Sequence, residues 1–183
     1  MLEENELVVA LQSVKQKENA FRLLVSQYKE RLYWHIRKIV LNHDDTDDVL
    51  QNTFIKIFKN IHHFKGDSKL FTWMYRIATN EAITFINKKA KQNNLTIEAV
   101  KDQIISKLES DVYFEGDAIQ LQLQKAIATL PHKQQLVFNM KYFENHTYEN
   151  LSKILDTSVG GLKSSYHIAV KKITVYLKSN ETF

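Results

Sequence analysis

A chain of 183 residues with 44% hydrophobic, 11% aromatic and 25% charged residues has the balance of a globular protein, which excludes a disordered one. Only four Gly and one Pro exclude a turn-rich all-β sandwich or barrel, and the lack of Cys excludes a disulfide framework or a thiolate metal site. The net charge of +4 at pH 7 suits a polyanionic partner without requiring one.

The start of the chain, with Glu3, Glu4 and Glu6, reads as a short, acidic, frayed terminus. It holds no long apolar run and no signal-peptide pattern, so the expectation is a soluble, cytoplasmic protein without membrane insertion. Over residues 19–41, Phe21, Leu24, Val25, Tyr28, Leu32, Ile36, Ile39 and Val40 recur at three- and four-residue spacing and predict an amphipathic helix. Asn42 and His43 end it. A second helix is expected from Thr46 as its cap, with Asp47 and Asp48 at the positive end of the helix dipole. Its core face is Val49, Leu50, Phe54, Ile57, Phe58 and Ile61. A turn at residues 65–68 then leads into a third helix over 69–89, with Met74, Ile77, Ala78, Ala82 and Phe85 facing inward.

Residues 91–116 are more polar and lack a sustained period, which reads as a linker. Its 26 residues reach about 85 Å at most, at roughly 3.3 Å each. Helix signals resume over 118–130, stop at Pro131 and restart over 132–143. The expected architecture is therefore all-α, in two small helical units: residues 1–90, the linker, and residues 117–183.

Two stretches carry candidate chemistry. Thr147 caps a short helix ending at Leu155, Asp156 and Thr157 make a tight join, and Ser158 caps a longer helix toward Lys178. Such a helix-turn-helix presents the start of its second helix to the DNA major groove, here with Lys163, Ser164, Ser165 and His167, followed by Lys171 and Lys172. The same spacing also suits an ordinary helical hairpin with solvated lysines. In the first unit, Trp73, Arg76, Asn80, Thr84 and Asn87 share one stripe of the third helix. An aromatic ring beside Arg and Asn can stack on unpaired bases and bond their edges, while Lys88, Lys89 and Lys91 can hold phosphates. The alternative is that Trp73 and Phe71 complete the core and the lysines meet the negative end of the helix.

Read together, these stretches resemble regions 2 and 4 of the extracytoplasmic-function sigma factors of the sigma-70 family. Residues 45–56, D-T-D-D-V-L-Q-N-T-F-I-K, resemble that family's D-x-E-D-L-x-Q-E-x-F-L-K, and residues 64–80 match F-R-G-E-S-S-F-x-T-W-L-Y-R-I-A-x-N at most positions. Leu130-Pro131, the Y-F-E at 142–144, the T-Y-E at 147–149 and the S-V-G-G-L-K-S at 158–164 follow in family order. The resemblance implies a non-catalytic transcription initiation factor with no metal or other cofactor. Its partners would be core RNA polymerase, through the clamp of the largest subunit and the second-largest subunit, and promoter DNA. An anti-sigma factor, which restrains many members, is a third. It assigns Asp48, Gln51, Asn52 and Ile55 to the polymerase clamp. Lys65, Ser68, Trp73, Arg76 and Asn80, with Lys88 and Lys89, fall to the minus-ten element, and Lys163, Ser164, Ser165, His167 and Lys171 to the minus-thirty-five element.

Departures from the pattern matter as well. Ser165, Ile168 and Val170 stand where Arg is common, which implies a weakened or differently specified minus-thirty-five contact. Leu70 replaces a Phe, Phe71 stands where a basic or polar residue is frequent, and Asn150 replaces the acid of a capping box. Three other readings compete with this one. A helix-turn-helix regulator would bind duplex operator DNA without polymerase. A metal-dependent hydrolase would use His43, Asp44, Asp45, Asp47 and Asp48, but adjacent acids at a helix start point in different directions. A membrane-surface role for the last helix conflicts with the packing need of its apolar positions.

Overall fold

The computed structural model describes residues 4–96, 99 and 118–180, and among these every regular element is a helix. In chain order they are α1 (Glu4–Gln12), α2 (Lys17–Val40), α3 (His43–Asn60), a single 3-10 turn (Ile61–His63), α4 (Leu70–Gln92), α5 (Ala118–Ala128), α6 (His132–Tyr142), α7 (Tyr148–Leu155) and α8 (Val159–Ser179). α4 runs two residues beyond the unit boundary expected at residue 90, and most of the expected linker lies outside the described residues.

α2 is the central element and packs on α1, α3, α4 and α6. Ala20, Leu24, Tyr28, Leu32, Ile36 and Ile39 are buried along it at helical spacing, each large side chain contributing about 1.5–3 kcal/mol of apolar burial. Phe21 sits edge-on to Phe54 and Phe58 of α3, with ring centroids 6.2 and 4.9 Å apart. Ion pairs Lys56–Glu81 and Lys89–Asp45 tie α3 to α4.

Two local expectations are corrected. The chain start is a helix: Leu7 and Leu11, one turn apart, are 2% and 0% exposed against the core. The cap of α3 is Asn42, whose Oδ1 accepts the Asp45 N–H at 2.9 Å, while Thr46 is fully buried inside the helix and donates its hydroxyl to the Asn42 carbonyl. Leu41 ends α2 in the left-handed region at φ 62°, which leaves Asn42 in extended backbone, the conformation a capping side chain needs.

In the second unit Ala126, Ile127, Leu130, Phe138, Ala169 and Ile173 form a core of their own. Leu136, Val137, Met140, Leu151, Ile154 and Leu162 instead join the core of the first unit, so α6 and α8 serve both cores and α7 packs on the first unit's. The polar centre of this junction is Glu144, just beyond α6. Its Oε1 lies 3.2 Å from His35 Nδ1 and 3.4 Å from Lys38 Nζ, and its Oε2 lies 3.4 Å from His146 Nε2. His35 and His146 are only 1% and 5% exposed. His35 Nε2 is hydrogen-bonded to Thr79 Oγ1 at 2.8 Å, so one imidazole links α2, α4 and the second unit. His146 stacks on Phe71 at 5.7 Å and lies 5.2 Å from the Tyr75 ring, while the Arg31 guanidinium lies over the Phe71 ring at 4.0 Å. The Asn139 side-chain amide donates to the Lys38 carbonyl at 3.2 Å, closing the same seam.

Burial alone would raise the Glu144 carboxyl, but the charge of His35, its hydrogen bond, the close approach of His146 and the charge of Lys38 outweigh it and hold it well below the usual carboxylate range. A depressed carboxyl contributes stability in full above its unfolded value and loses it as pH falls toward the folded one. Glu144→Ala should therefore cost about 1–3 kcal/mol in denaturant unfolding at neutral pH, the range for stranding buried hydrogen-bonding partners. The gap to wild type should hold from pH 8 to 5 and shrink as pH falls below about 4, the unfolded carboxylate range.

Candidate nucleic-acid interface

The loop after the 3-10 turn is shaped by Gly66, whose φ of +80° suits glycine, and it delivers the chain to α4. Lys65 and Asp67 are exposed, Phe64 is buried, and Trp73 of α4 packs its ring 5.5 Å from Phe64. Trp73 thus combines both sequence readings: it closes the edge of the core and also faces a cleft of about 460 Å³ lined by Lys65, Ser68, Thr72 and Arg76. Arg76, Asn80, Thr84 and Asn87 continue as an exposed stripe of α4. Lys65, Ser68, Trp73 and Arg76 are therefore brought together, with Asn80 one turn beyond Arg76.

Lys88 and Lys89 are not part of that cluster. They lie at the far end of α4 and line a separate groove of about 450 Å³ with Asp45, Asp48, Gln51 and Asn52, where Lys89 pairs with Asp45. Asp48, Gln51, Asn52 and Ile55 form one exposed stripe of α3 at helical spacing, with Ile55 44% exposed despite being apolar. The two surfaces occupy different flanks of the first unit.

The helix-turn-helix forms as its caps require. Thr147 Oγ1 accepts the Asn150 N–H at 3.2 Å, Asp156 turns the chain at φ 49°, and Ser158 Oγ accepts the Gly161 N–H at 3.2 Å. A Cβ on Gly161 would lie 3.2 Å from that same Ser158 Oγ, so a larger residue there would make the capping side chain give by a few tenths of an ångström. Leu162, Ala169 and Ile173 face inward, leaving Lys163, Ser164, His167, Lys171 and Lys172 exposed and Ser165 half-buried. Ile168 and Val170 are 43% and 37% exposed, so apolar surface replaces cations on this face.

Two features went unseen in the sequence. Ser152, Lys153 and Asp156 of the second unit complete the wall of the Trp73 cleft, and Lys153 Nζ donates to the Asp67 carbonyl at 3.4 Å. Phe71, which departs from the family pattern, is the surface on which His146 stacks, so its apolar ring serves the junction between the units. That departure was the available signal. The acids around His43 do not converge: Asp45 pairs with Lys89, His43 bonds Tyr33 Oη at 2.6 Å and approaches Asp47 at 3.7 Å, and Asp44 and Asp48 are exposed. Among the described residues no group of three or more His, Asp or Glu side chains is arranged so that it could hold a metal ion, and none of their helices is long and apolar enough to cross a membrane.

Comparison with known proteins matches residues 24–92 to the family model Sigma-70 region 2 and residues 120–173 to Sigma-70, region 4. The chain is 31% identical over 161 residues to the ECF RNA polymerase sigma factor SigW of Bacillus subtilis, covering 84% of this chain and 86% of that protein. It is 28% identical over 178 residues to the ECF RNA polymerase sigma-E factor of Escherichia coli, covering 89% and 88%. Among solved structures, CnrH in complex with the cytosolic domain of CnrY shares the fold at a TM-score of 0.69 and 19% identity, over 97% of this chain and 99% of that one. The sigma factor RpoE of Bartonella quintana, solved with the anti-sigma factor NepR, shares it at 0.67 and 18%, over 88% and 98%.

The Ser158 cap governs the start of α8, the end that carries Lys163, Ser164 and His167. Ser158→Ala should lower stability by about 1 kcal/mol and fray the first turn of α8, read as faster amide exchange at residues 160–162.

Proposed function

The chain belongs to the sigma-70 family of RNA polymerase sigma factors, in its extracytoplasmic-function group, and we propose that its exposed surfaces divide the work of promoter-directed transcription initiation. It is a sigma factor that directs RNA polymerase to promoters. The α3 stripe of Asp48, Gln51, Asn52 and Ile55 docks on the clamp of the polymerase's largest subunit. Ile55 supplies an apolar anchor and the polar residues fix register around it. Lys88 and Lys89 border this docking groove and reach the DNA backbone only where it passes the far end of α4.

The loop at residues 64–68 and the start of α4 read the minus-ten element. Extruding a base from the duplex costs a few kcal/mol of stacking, which an enclosing site must recover. Trp73 offers a stacking face, Lys65 and Arg76 offer charge for the strand's phosphates, and Ser68 and Asn80 offer hydrogen bonds. α8 enters the major groove of the minus-thirty-five element with Lys163, Ser164, Ser165 and His167, and Lys171 lies along the backbone. With Ile168 and Val170 on that face, readout there leans on apolar contact, such as thymine methyl groups, more than on bidentate guanine recognition.

The carrying observation is the presence in one chain, in order, of an exposed α3 stripe with an apolar Ile55, a glycine loop leading into α4 beside a cleft, and a capped helix-turn-helix. The chain supplies recognition and strand capture while the polymerase supplies the chemistry, and it works in the cytoplasm with its polymerase. A restraining anti-sigma factor is a third proposed partner. In the packed arrangement α7 walls one side of the minus-ten cleft, whereas a promoter spacer of about 17 base pairs separates the two elements by roughly 58 Å, at 3.4 Å per pair. Promoter engagement therefore requires the units to part, and a fully extended linker is long enough to allow it.

Purified protein should co-elute with sigma-free core RNA polymerase on a sizing column. Gln51→Ala combined with Ile55→Ala should weaken that association at least about tenfold, as loss of a central anchor does, and leave thermal unfolding nearly unchanged because both side chains are exposed. A folded wild type that ignores core polymerase yet binds duplex DNA tightly would favour a stand-alone operator-binding regulator instead.

A further inference from the structure

Both ends of the minus-ten loop are held from outside by one helix. α4 starts behind Lys69, whose side chain provides no cap, so its first N–H donors must find partners elsewhere. Glu4, in the first turn of α1, reaches across 66 positions of sequence and accepts the Leu70 N–H at 2.8 Å. At the other end of α1, the Gln12 side-chain amide donates to the Ile61 carbonyl at 3.2 Å and to the Phe64 carbonyl at 3.0 Å. Those carbonyls open the loop that Leu70 closes.

Leu7 and Leu11 seat the helix in the core between its two polar ends. At 100° per residue, positions 4, 7, 11 and 12 share one side, so seating the leucines aims Glu4 and Gln12 at the loop. The span between these anchors holds itself poorly. Lys65, Gly66 and Asp67 are exposed, Gly66 has open space around its α-carbon, and Ser68 bonds only the carbonyl of its neighbour Lys69, at 3.3 Å. A loop with so few contacts of its own explores many shapes unless its ends are fixed, whereas a site that captures one base needs a single shape before the strand arrives.

We propose that Glu4 and Gln12 are positioning residues for minus-ten recognition, with α1 acting as a brace that sets the span of the loop and so the discrimination of the base it captures. This rests on the assignment of residues 64–80 to the minus-ten element. Neither side chain touches DNA in this scheme. Each acts through the backbone that presents Lys65, Ser68 and Trp73.

The test uses holoenzyme assembled from the full chain and core polymerase, selecting from a duplex library randomised at both promoter elements. Sequencing the bound fraction gives the base preference at each element. Glu4→Ala and Gln12→Ala should each reduce discrimination at the minus-ten element about tenfold, the scale of one charge-assisted or two neutral hydrogen bonds. Preference at the minus-thirty-five element and co-elution with core should stay as in wild type. Glu4→Gln, which keeps an acceptor oxygen, should restore most of the discrimination, a rescue that general destabilisation would not produce. Unchanged minus-ten preference in both alanine variants overturns the proposal, and so does an equal loss at the two elements. A wild-type holoenzyme that selects no sequence at either element would instead sink the sigma reading, and the brace with it.

Discussion

Glu144 is a carboxylate taken out of water at the meeting point of two helical units, and the junction between them is built around the groups that face it. A buried carboxylate without partners would cost several kcal/mol. Here two imidazoles and a lysine converge on it, and all of these partners are fixed in turn. His35 is held by Thr79, His146 by the rings of Phe71 and Tyr75, and Lys38 by its place on α2. Tyr75, buried beside the carboxylate, has its phenol pushed up and stays protonated, donating to the Arg31 carbonyl at 3.2 Å.

That junction brings α7 against the loop that precedes α4, and it gives the packed molecule a character that neither unit has alone. The cleft in front of Trp73 is walled on one side by the first unit and on the other by Ser152, Lys153 and Asp156 of the second. The α3 stripe lies on a different flank and stays open. In the packed state the surface proposed for polymerase docking is thus available while the proposed minus-ten surface is partly covered. Docking before DNA reading is the order this geometry favours. The apolar side of the seam, with Leu136, Val137, Met140 and Leu151 joined to the first unit's core, means that parting the units exposes apolar area as well as breaking the Glu144 contacts.

The elements proposed to read DNA follow a common physical rule: a recognition surface is only as selective as the backbone beneath it is fixed. α8 meets the rule locally, through Ser158 and the small Gly161 behind it. The loop before α4 has no such local device and borrows rigidity from α1, whose leucines are in the core. One reader is stabilised by residues three apart in the chain, the other by residues more than forty apart.

This difference also divides what was legible in the sequence from what was not. The spacing of Leu24, Tyr28, Leu32 and Ile36 and the small number of Gly and Pro determined an all-helical chain, because helical periodicity is a local property. The caps at Thr147 and Ser158 were equally readable, since a cap and its N–H partner lie three residues apart. Region order and motif spacing were enough to place the chain in its family. The cap of α3 was misplaced at Thr46 because several capping residues crowd one stretch and only the left-handed turn at Leu41 selects Asn42. Tertiary structure alone decided that α1 is a working helix, that Lys89 faces Asp45 and not the loop, and that His35, Glu144 and His146 meet. Those contacts join residues far apart along the chain, where each side chain's partner is chosen by how the helices pack, and no local period or spacing records that choice.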